Sequence, residues 1–285
     1  MRVVTFGSDH PLSYAALRTV ERLDGFDHVD HVSTTDDREF LRKPNTAEAR
    51  AYLRSLEPDL FLSAAYGRIL GEQTLGLASI GAVNVHPSLL PRFRGVNAVQ
   101  WAMYEGESRV GLTIHEMVPA VDSGAVLAQI TTPIREGESA RDVYLRLGEL
   151  LPPTLTEVLT RIRRTGTIEG RPQRGEGSYR RASRLELDRL ELDWSWSAAE
   201  LARRFRVFPW HCNLPVGPWR IFLRDVEPRD AIVKRPPGTM VRRRPRTLDV
   251  VVADGTLVRL HLDHALRAWT KLALVGLRTH LPHEP

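Results

Sequence analysis

Apolar positions along the chain fall into two textures. Residues 3–6, 29–33, 60–65 and 81–85 are short apolar runs of the kind that fill a buried strand. Between them, residues 14–23 space their apolar positions three and four apart, as one face of a helix does. Asn45, with Glu48 three residues on, reads as an N-cap ahead of Ala49, Leu53 and Leu56, and Pro58 as the stop. Strands alternating with helices in this way predict a parallel α/β sheet covered on both faces. Residues 112–117 and 125–130 continue the strand pattern. Ser139 caps a long amphipathic helix through Val143, Leu147 and Leu151, expected to break at Pro152-Pro153 and resume to Ile162. Residues 166–184, rich in Gly, Arg and Ser, read as a linker. Beyond Leu192 a helix at 198–205 precedes strand-like runs at 219–223, 248–252 and 256–262, separated by Pro and Gly turns. That texture predicts a small all-β module. The expected domains are residues 1–185 and 192–285.

Length and composition change this picture little. A chain of 285 residues with 42% apolar and 26% charged residues suits one large globular domain and a smaller one. No apolar run approaches the roughly 18 residues of a membrane span, and Met1 leads directly into a strand, so no leader is expected. Cys212 is the only cysteine, which excludes an internal disulfide and a multi-cysteine metal site. A reducing, cytoplasmic setting is the expectation. Charge is more informative. Residues 195–285 hold 16 Lys and Arg against 8 Asp and Glu, whereas residues 1–194 hold 24 against 27. The basic C-terminal part suits either contact with phosphates or a solvated Arg-rich surface.

Candidate chemistry concentrates in Asn84-Val-His-Pro-Ser-Leu-Leu-Pro-Arg-Phe-Arg-Gly95. A strand places Asn84 and His86, two residues apart, on one face of the sheet. Pro87 ends the strand, so the pair sits at its carboxyl end, where open α/β sheets bind ligands. Asp122, in Val121-Asp-Ser-Gly124, adds a carboxylate at a turn. Moving an acyl-like group to an amine needs an oxyanion donor, a group to manage the amine proton and something to orient that group. An amide, an imidazole and a carboxylate meet those needs, although Asn-x-His on a strand also suits a satisfied polar pair.

The chain resembles the folate-dependent formyltransferases, a family that includes methionyl-tRNA, sugar N- and hydroxyornithine formyltransferases. The resemblance rests on Asn84-x-His86, on Ser88-Leu-Leu-Pro91 with Gly95 four residues later, and on Gly111-Leu-Thr-Ile-His115 leading to Asp122-Ser-Gly124. It extends to Leu192-Asp-Trp-Ser195 and Phe208-Pro-Trp210, which look like the passage into the family's C-terminal barrel, and to Pro237-Gly-Thr239 and Asp254-Gly255 as turns within it. It implies a Rossmann-like parallel-sheet catalytic domain followed by a small OB-like β-barrel. It also implies 10-formyltetrahydrofolate as formyl donor and Asn84, His86 and Asp122 as the catalytic trio. The donor pocket would be formed by the loop of Tyr66, Gly67, Arg68, Ile69 and Leu70 and by the turn with Pro119 and Val121. The implied chemistry is direct attack of an amine on the formyl carbon, with Asn84 on the oxyanion, His86 on the oxyanion or the amine proton, and Asp122 orienting His86. Neither a metal nor an acyl-enzyme is implied.

The acceptor is read from departures within the family. The tRNA branch carries a basic, Gly-rich insertion after its second strand, Ala-Ala-Pro after the motif glycine and Met at position 115. Here the stretch before Asn45 is short and of mixed charge, Val96-Asn-Ala98 follows Gly95, and His115 stands where Met would. A small-molecule amine is therefore expected, either an amino sugar on a nucleotide carrier or an amino-acid-derived metabolite such as hydroxyornithine. Initiator tRNA is the alternative, for which Arg242-Arg-Arg-Pro-Arg246 could meet phosphates; on the first reading this cluster is a solvated turn. A catalytically silent folate-binding protein and a hydrolase of the same folate are the other readings. No membrane partner is expected, and a homodimer is left open. His28/His31 and His261/His264 have metal-like spacing without a third ligand nearby. Gly7-Ser-Asp-His10 lacks the glycine pattern of a dinucleotide loop. Ser88 is read as capping backbone after Pro87, and Cys212 as an inert core thiol.

Overall fold

The apolar runs at 3–6, 60–65 and 81–85 become largely buried inner strands, which is why they need no alternation, whereas the run at 29–33 becomes a half-buried edge strand. In the computed structural model, which describes residues 1–180, 191–208, 213–216 and 219–262, the chain divides into two units. The first, Met1–Ala102 with Glu107–Arg180, is built on a six-stranded sheet. Its strands are β1 (Arg2–Gly7), β2 (Asp27–Ser33), β3 (Leu60–Ala64), β4 (Gly81–His86), β6 (Arg109–Glu116) and β7 (Val126–Pro133), ordered β2-β1-β3-β4-β6-β7. Val3, Val4, Leu60, Phe61 and Val83 are fully buried. Helices α1 (Pro11–Glu21), α2 (Ala47–Ser55), α3 (Glu72–Leu75), α4 (Ala98–Glu105) and α5 (Ala140–Thr165) accompany it.

Four details correct the pattern read from the sequence. The sheet is mixed: β1 to β4 run parallel, but β4–β6 and β6–β7 pair antiparallel. The loop over residues 117–125 is shorter than the dozen or so residues a parallel crossover takes, so β7 can only fold straight back. The cap of α2 is Thr46, whose hydroxyl accepts from the Ala49 N–H, because Asn45 is engaged elsewhere. Helix α5 runs unbroken through Pro152 and Pro153. Each proline removes a helical hydrogen bond at a cost near 3 kcal/mol, yet Leu147, Leu151, Leu155, Val158, Leu159 and Ile162 bury one continuous stripe across the site of the break. That stripe outweighs the loss, since each such side chain contributes about 1.5–3 kcal/mol on burial. The fourth correction, residues 166–180, belongs to the site.

The second unit comprises Met103–Gly106 and Arg181–Pro285. Helix α6 (Ala198–Val207) carries a capping box between Ser197 and Glu200. It accompanies an antiparallel sheet of β9 (Asn213–Val216), β10 (Trp219–Ile232), β11 (Met240–Arg244), β12 (Thr247–Val251) and β13 (Thr256–Leu262), ordered β11-β12-β13-β10-β9. Leu248, Val250, Val258 and Leu260 are fully buried. The all-β expectation holds as this sheet, with two differences. The run expected at 219–223 is the start of a strand that continues to Ile232, and Arg242, Arg243 and Arg244 lie in strand β11, at the sheet edge, rather than in a turn. Their alternation is hidden because all three are exposed, so no buried partner face marks a strand. Cys212 and His264 lie outside the described residues.

Candidate active site

Strand β4 ends at His86, and the backbone then folds over the carboxyl ends of the parallel strands. Here β5 (Arg94–Gly95) pairs with β8 (Tyr179–Arg180). Asn84 stands directly opposite His115 in the antiparallel β4–β6 pair. The loop after β6 brings Asp122 to the same place, with the residue in the left-handed region at φ 50°. Asp tolerates that conformation better than most side chains.

The three predicted residues meet around the Asp122 carboxylate. Its Oδ2 accepts from the Gly95 N–H at 2.8 Å and lies 3.4 Å from His86 Nδ1, while its Oδ1 lies 3.4 Å from both Asn84 Nδ2 and His115 Nε2. Burial acts to raise the Asp122 carboxyl, but the ring of His115, His86 and the Gly95 N–H together outweigh it and hold the carboxyl below its usual range.

Carbonyl partners settle the protons on both imidazoles. His86 Nε2 is 2.7 Å from the Phe93 carbonyl oxygen. A carbonyl only accepts, so Nε2 carries a proton and Nδ1, facing Asp122, is the basic atom. His115 Nδ1 likewise donates to the Glu116 carbonyl at 2.7 Å, and its Nε2 lies between Asn84 Nδ2 at 3.2 Å and Asp122 Oδ1 at 3.4 Å. Burial lowers the affinity of His86 for a proton, against the pull of Asp122 and the Phe93 carbonyl. His86 is therefore a neutral base near pH 7 with a carboxylate waiting to stabilise its cation.

The predicted donor loop is pinned at both ends. The Ser8 hydroxyl donates to the Ala65 carbonyl at 2.7 Å. Asn45 donates to the Ile69 carbonyl at 2.8 Å and accepts from the Gly71 N–H at 2.7 Å and the Thr74 hydroxyl at 2.9 Å. Tyr66 and Leu70 pack in one apolar cluster with Met117, which begins the loop that carries Pro119 and Val121. Gly67, Arg68, Ile69 and Pro119 are exposed, and Val121 is half-buried. The Tyr66 hydroxyl is buried with no hydrogen-bond partner among the described residues, and burial pushes it up to about 12.

Sequence reasoning missed two members of this site. His115 served as the end of a family motif and as a branch marker, with no role in the site, although its register opposite Asn84 follows from an antiparallel β4–β6 pair. Gln173 fell in the supposed linker. Its Nε2 donates to the carbonyls of Asp122 and Gly124 at 2.8 and 2.9 Å, and its Oε1 accepts from Arg94 at 2.6 and 3.2 Å. Arg171 exchanges backbone hydrogen bonds with Val126, and the Ser178 hydroxyl accepts from the Phe93 N–H. The stretch is extended backbone bonded to the site, which its Gly and Arg content disguises.

Other candidates find plain roles. His28 and His31 both bond the Thr5 hydroxyl, at 3.0 and 2.8 Å. His261 faces Glu227 at 3.3 Å. Ser88 donates to the Arg92 carbonyl at 2.8 Å, the backbone role read for it. Gly7 lies against Ser13, whose Oγ would stand 1.8 Å from a side chain placed there, so the position serves packing. Among the described residues no group of three or more His, Cys, Asp and Glu is placed to hold a metal ion, and no helix is long and apolar enough to cross a membrane.

Residues 2–159 match the formyl transferase family, and the chain belongs to it. It is a formyltransferase. The methionyl-tRNA formyltransferase of Marinobacter nauticus is 33% identical over 213 residues, covering 74% of this chain and 68% of that protein. That of Xanthomonas campestris pv. campestris is 34% identical over 246 residues, covering 85% and 78%. The chain spans between 51% and 78% of the length of such curated relatives. Among solved structures, the N-formyltransferase from Helicobacter canadensis, in complex with folinic acid and dTDP-3-aminofucose, superposes with a TM-score of 0.64. At 16% identity over 92% of this chain and 100% of that one, it shows a shared fold.

Proposed function

We propose that the chain transfers the formyl group of 10-formyltetrahydrofolate to the primary amine of a small molecule, with Asn84, His86 and Asp122 as its catalytic trio. The observation that carries the reading is the meeting of these three side chains around one buried carboxylate, at the carboxyl end of β4. The donor fits the residues present. The pinned loop from Tyr66 to Leu70 and the turn with Pro119 and Val121 offer it a wall, and the buried, unpartnered Tyr66 hydroxyl offers it a hydrogen bond. The folate analogue in the Helicobacter canadensis complex points the same way.

The donor supplies an electrophilic formyl carbon. His86 Nδ1 takes the proton that the attacking amine sheds, Asp122 stabilises the resulting imidazolium, and His86 returns the proton to the folate nitrogen as its bond to the formyl carbon breaks. Asn84 serves the oxyanion. Its contact with Asp122 at 3.4 Å is long for a hydrogen bond, so that N–H is free to turn to the developing charge, while His115 holds the other. On this reading residues 1–185 form the catalytic domain. Residues 192–285 form the family's OB-like barrel, a view supported by the two irregularities that bend the long strand β10.

For a small acceptor the supporting observation is the segment after β2. Its central cation, Arg38, is held at 2.7 Å by Asp30 and at 2.8 Å by Asp36, and also donates to Tyr52 and the His31 carbonyl. A cation so engaged is poorly placed to read phosphates. Initiator tRNA is the second reading, favoured by the curated relatives and by the exposed arginines of β11. The test is release of folate from 10-formyltetrahydrofolate with a panel of nucleotide-linked amino sugars, hydroxyornithine and charged initiator tRNA. Turnover confined to tRNA would overturn the acceptor; formate release without any amine would make the chain a hydrolase.

A further inference from the structure

Asp122 needs holding, because its position is conformationally costly and its turn is closed locally only through Ser123, whose N–H and hydroxyl donate to the Ala120 carbonyl at 3.3 and 2.7 Å. At φ 50° it sits in the left-handed region, which disfavours residues with a side chain by roughly 1–2 kcal/mol. Its carboxylate is fixed by one short hydrogen bond, from the Gly95 N–H at 2.8 Å; the contacts to His86, Asn84 and His115 are all longer than 3.3 Å. Those bonds leave the carbonyls of Asp122 and Gly124 to be set from outside the turn.

We propose that Gln173 is the positioning residue of this site: its side-chain amide clamps the Asp122 turn and so aims the carboxylate at His86. One NH2 group takes the carbonyls on either side of Ser123, those of Asp122 and Gly124, which fixes two peptide planes relative to each other. The other end of the amide cannot reverse. Arg94 donates two N–H groups to Oε1, and a guanidinium has nothing that accepts, so the oxygen stays on Arg94 and the nitrogen on the turn. The next residue, Gly95, gives its N–H to the Asp122 carboxylate. The connections close a ring: Asp122 backbone, Gln173, Arg94, Gly95, Asp122 side chain. Gln173 acts on His86 only through Asp122. A shift of the carboxylate would weaken the His86 cation and misplace the base; displacements near 1 Å cost on the order of a hundredfold in rate. The inference rests on the reading of Asp122 as one of the catalytic trio.

Four proteins test it: the wild type, Gln173→Met, Gln173→Glu and Asp122→Asn. Methionine keeps the volume without hydrogen bonds, and glutamate keeps an acceptor for Arg94 while losing both donors to the turn. Formyl transfer to the accepted amine gives kcat and KM, and thermal unfolding monitors the fold. Both Gln173 variants should lower kcat on the order of tenfold to a hundredfold, with KM for the folate donor unchanged. In Gln173→Met the acid limb of kcat, set by His86, should move to lower pH, because His86 loses part of its carboxylate support; the new charge in Gln173→Glu opposes that shift, so the limb is read in the methionine variant. A merely structural role would lower stability without moving that limb. Values of kcat within about threefold of wild type in both variants would overturn the proposal. So would a loss in the methionine variant alone, since the anchor on Arg94 would then matter and the two donors would not. Should both variants fail to fold, Arg94→Met opens the same ring from its other side. A lower kcat with unchanged KM then supports the proposal, and an unchanged kcat overturns it. Wild-type turnover in Asp122→Asn would instead sink the trio itself, whatever the Gln173 variants do.

Discussion

The two units of the chain both bury polar groups but use them differently. In the first, His86 and His115 are buried, the Asp122 carboxylate is nearly so, and one buried carboxylate faces two imidazoles. All the non-glycine residues of positive φ among the described residues, Glu57, Ala65, Phe93, Asn97 and Asp122, belong to it, three of them in or beside the motif and its carboxylate. In the second, the core of Leu248, Val250, Val258 and Leu260 is apolar. Its buried carboxylate, Asp249, is matched to one guanidinium, that of Arg259, by a two-point contact at 2.7 and 2.9 Å. Burying unpaired polarity and bending backbone both destabilise a fold, and natural chains concentrate such costs where chemistry is done. The contrast separates a unit shaped for reaction from one shaped for packing.

The sharpest way to break that contrast is at the trio. His86→Ala and Asn84→Ala should each lower kcat on the order of a hundredfold or more, because proton transfer and oxyanion stabilisation act in the transition state. Asp122→Asn should do similar damage by removing the charge that supports the His86 cation. Steady-state formyl transfer, with folding confirmed by circular dichroism, is the measurement. Near wild-type turnover in all three would leave the first unit's buried polarity without a catalytic purpose.

Truncating the packing unit should do the reverse. Leu260 is fully buried in β13, the middle strand of the sheet, and Leu260→Ala should cost about 2–5 kcal/mol of stability. Calorimetry should record a lower Tm, while kcat per folded molecule stays level. A selective loss of kcat with an unchanged melting profile would contradict the division of labour.

How much of this was legible depended on whether the physical signal was local. The inner strands β1 and β3 show as nearly unbroken apolar runs because they are buried on both faces, and the motif shows because Asn84, His86 and their glycine lie close in sequence. The antiparallel turn at β6 was written in the shortness of the loop over 117–125 rather than in any residue type. Gln173 and Asn45 act through backbone carbonyls far away in sequence, and nothing local distinguishes such an amide from a solvated one. Strand β11 was hidden because its arginines face water, so no alternation betrays it.

Acid gives a smaller, graded test. Burial lowers the proton affinity of His10, His31 and His86 from the ordinary 6.5, with His28 adding to the effect at His31. Below that value the unfolded chain takes up protons that the folded chain resists. Stability is therefore full above about pH 6.5 and declines as the pH falls toward the depressed folded values. Asp122, whose carboxyl is also lowered, acts in the same direction at still lower pH. Tm should be level from about pH 8 to 7 and fall steadily below about 6.5, with a shallower slope in His31→Phe. A Tm that rises on acidification would show that these rings are protonated in the fold, against their burial.

The smallest expected effect is at the edge of the second unit. Arg242, Arg243 and Arg244 are exposed on β11 and face no catalytic group of their own unit. If the acceptor is a small amine, replacing all three by serine should leave kcat/KM for it within a few-fold, and added salt should matter little. A tRNA acceptor makes the opposite demand. Each phosphate that the protein neutralises steepens the fall of binding with salt by nearly one logarithmic unit per unit. With Arg38 bound to Asp30 and Asp36, the arginines of β11 would have to carry much of that contact. Charged initiator tRNA would then be formylated efficiently at low salt, and both its turnover and its salt slope would drop in the triple variant. Kinetics at two ionic strengths with each acceptor decide between these outcomes. A steep slope on tRNA that flattens in the variant would give the second unit a binding role and move the acceptor to the nucleic-acid side, while the chemistry proposed for Asn84, His86 and Asp122 would be untouched.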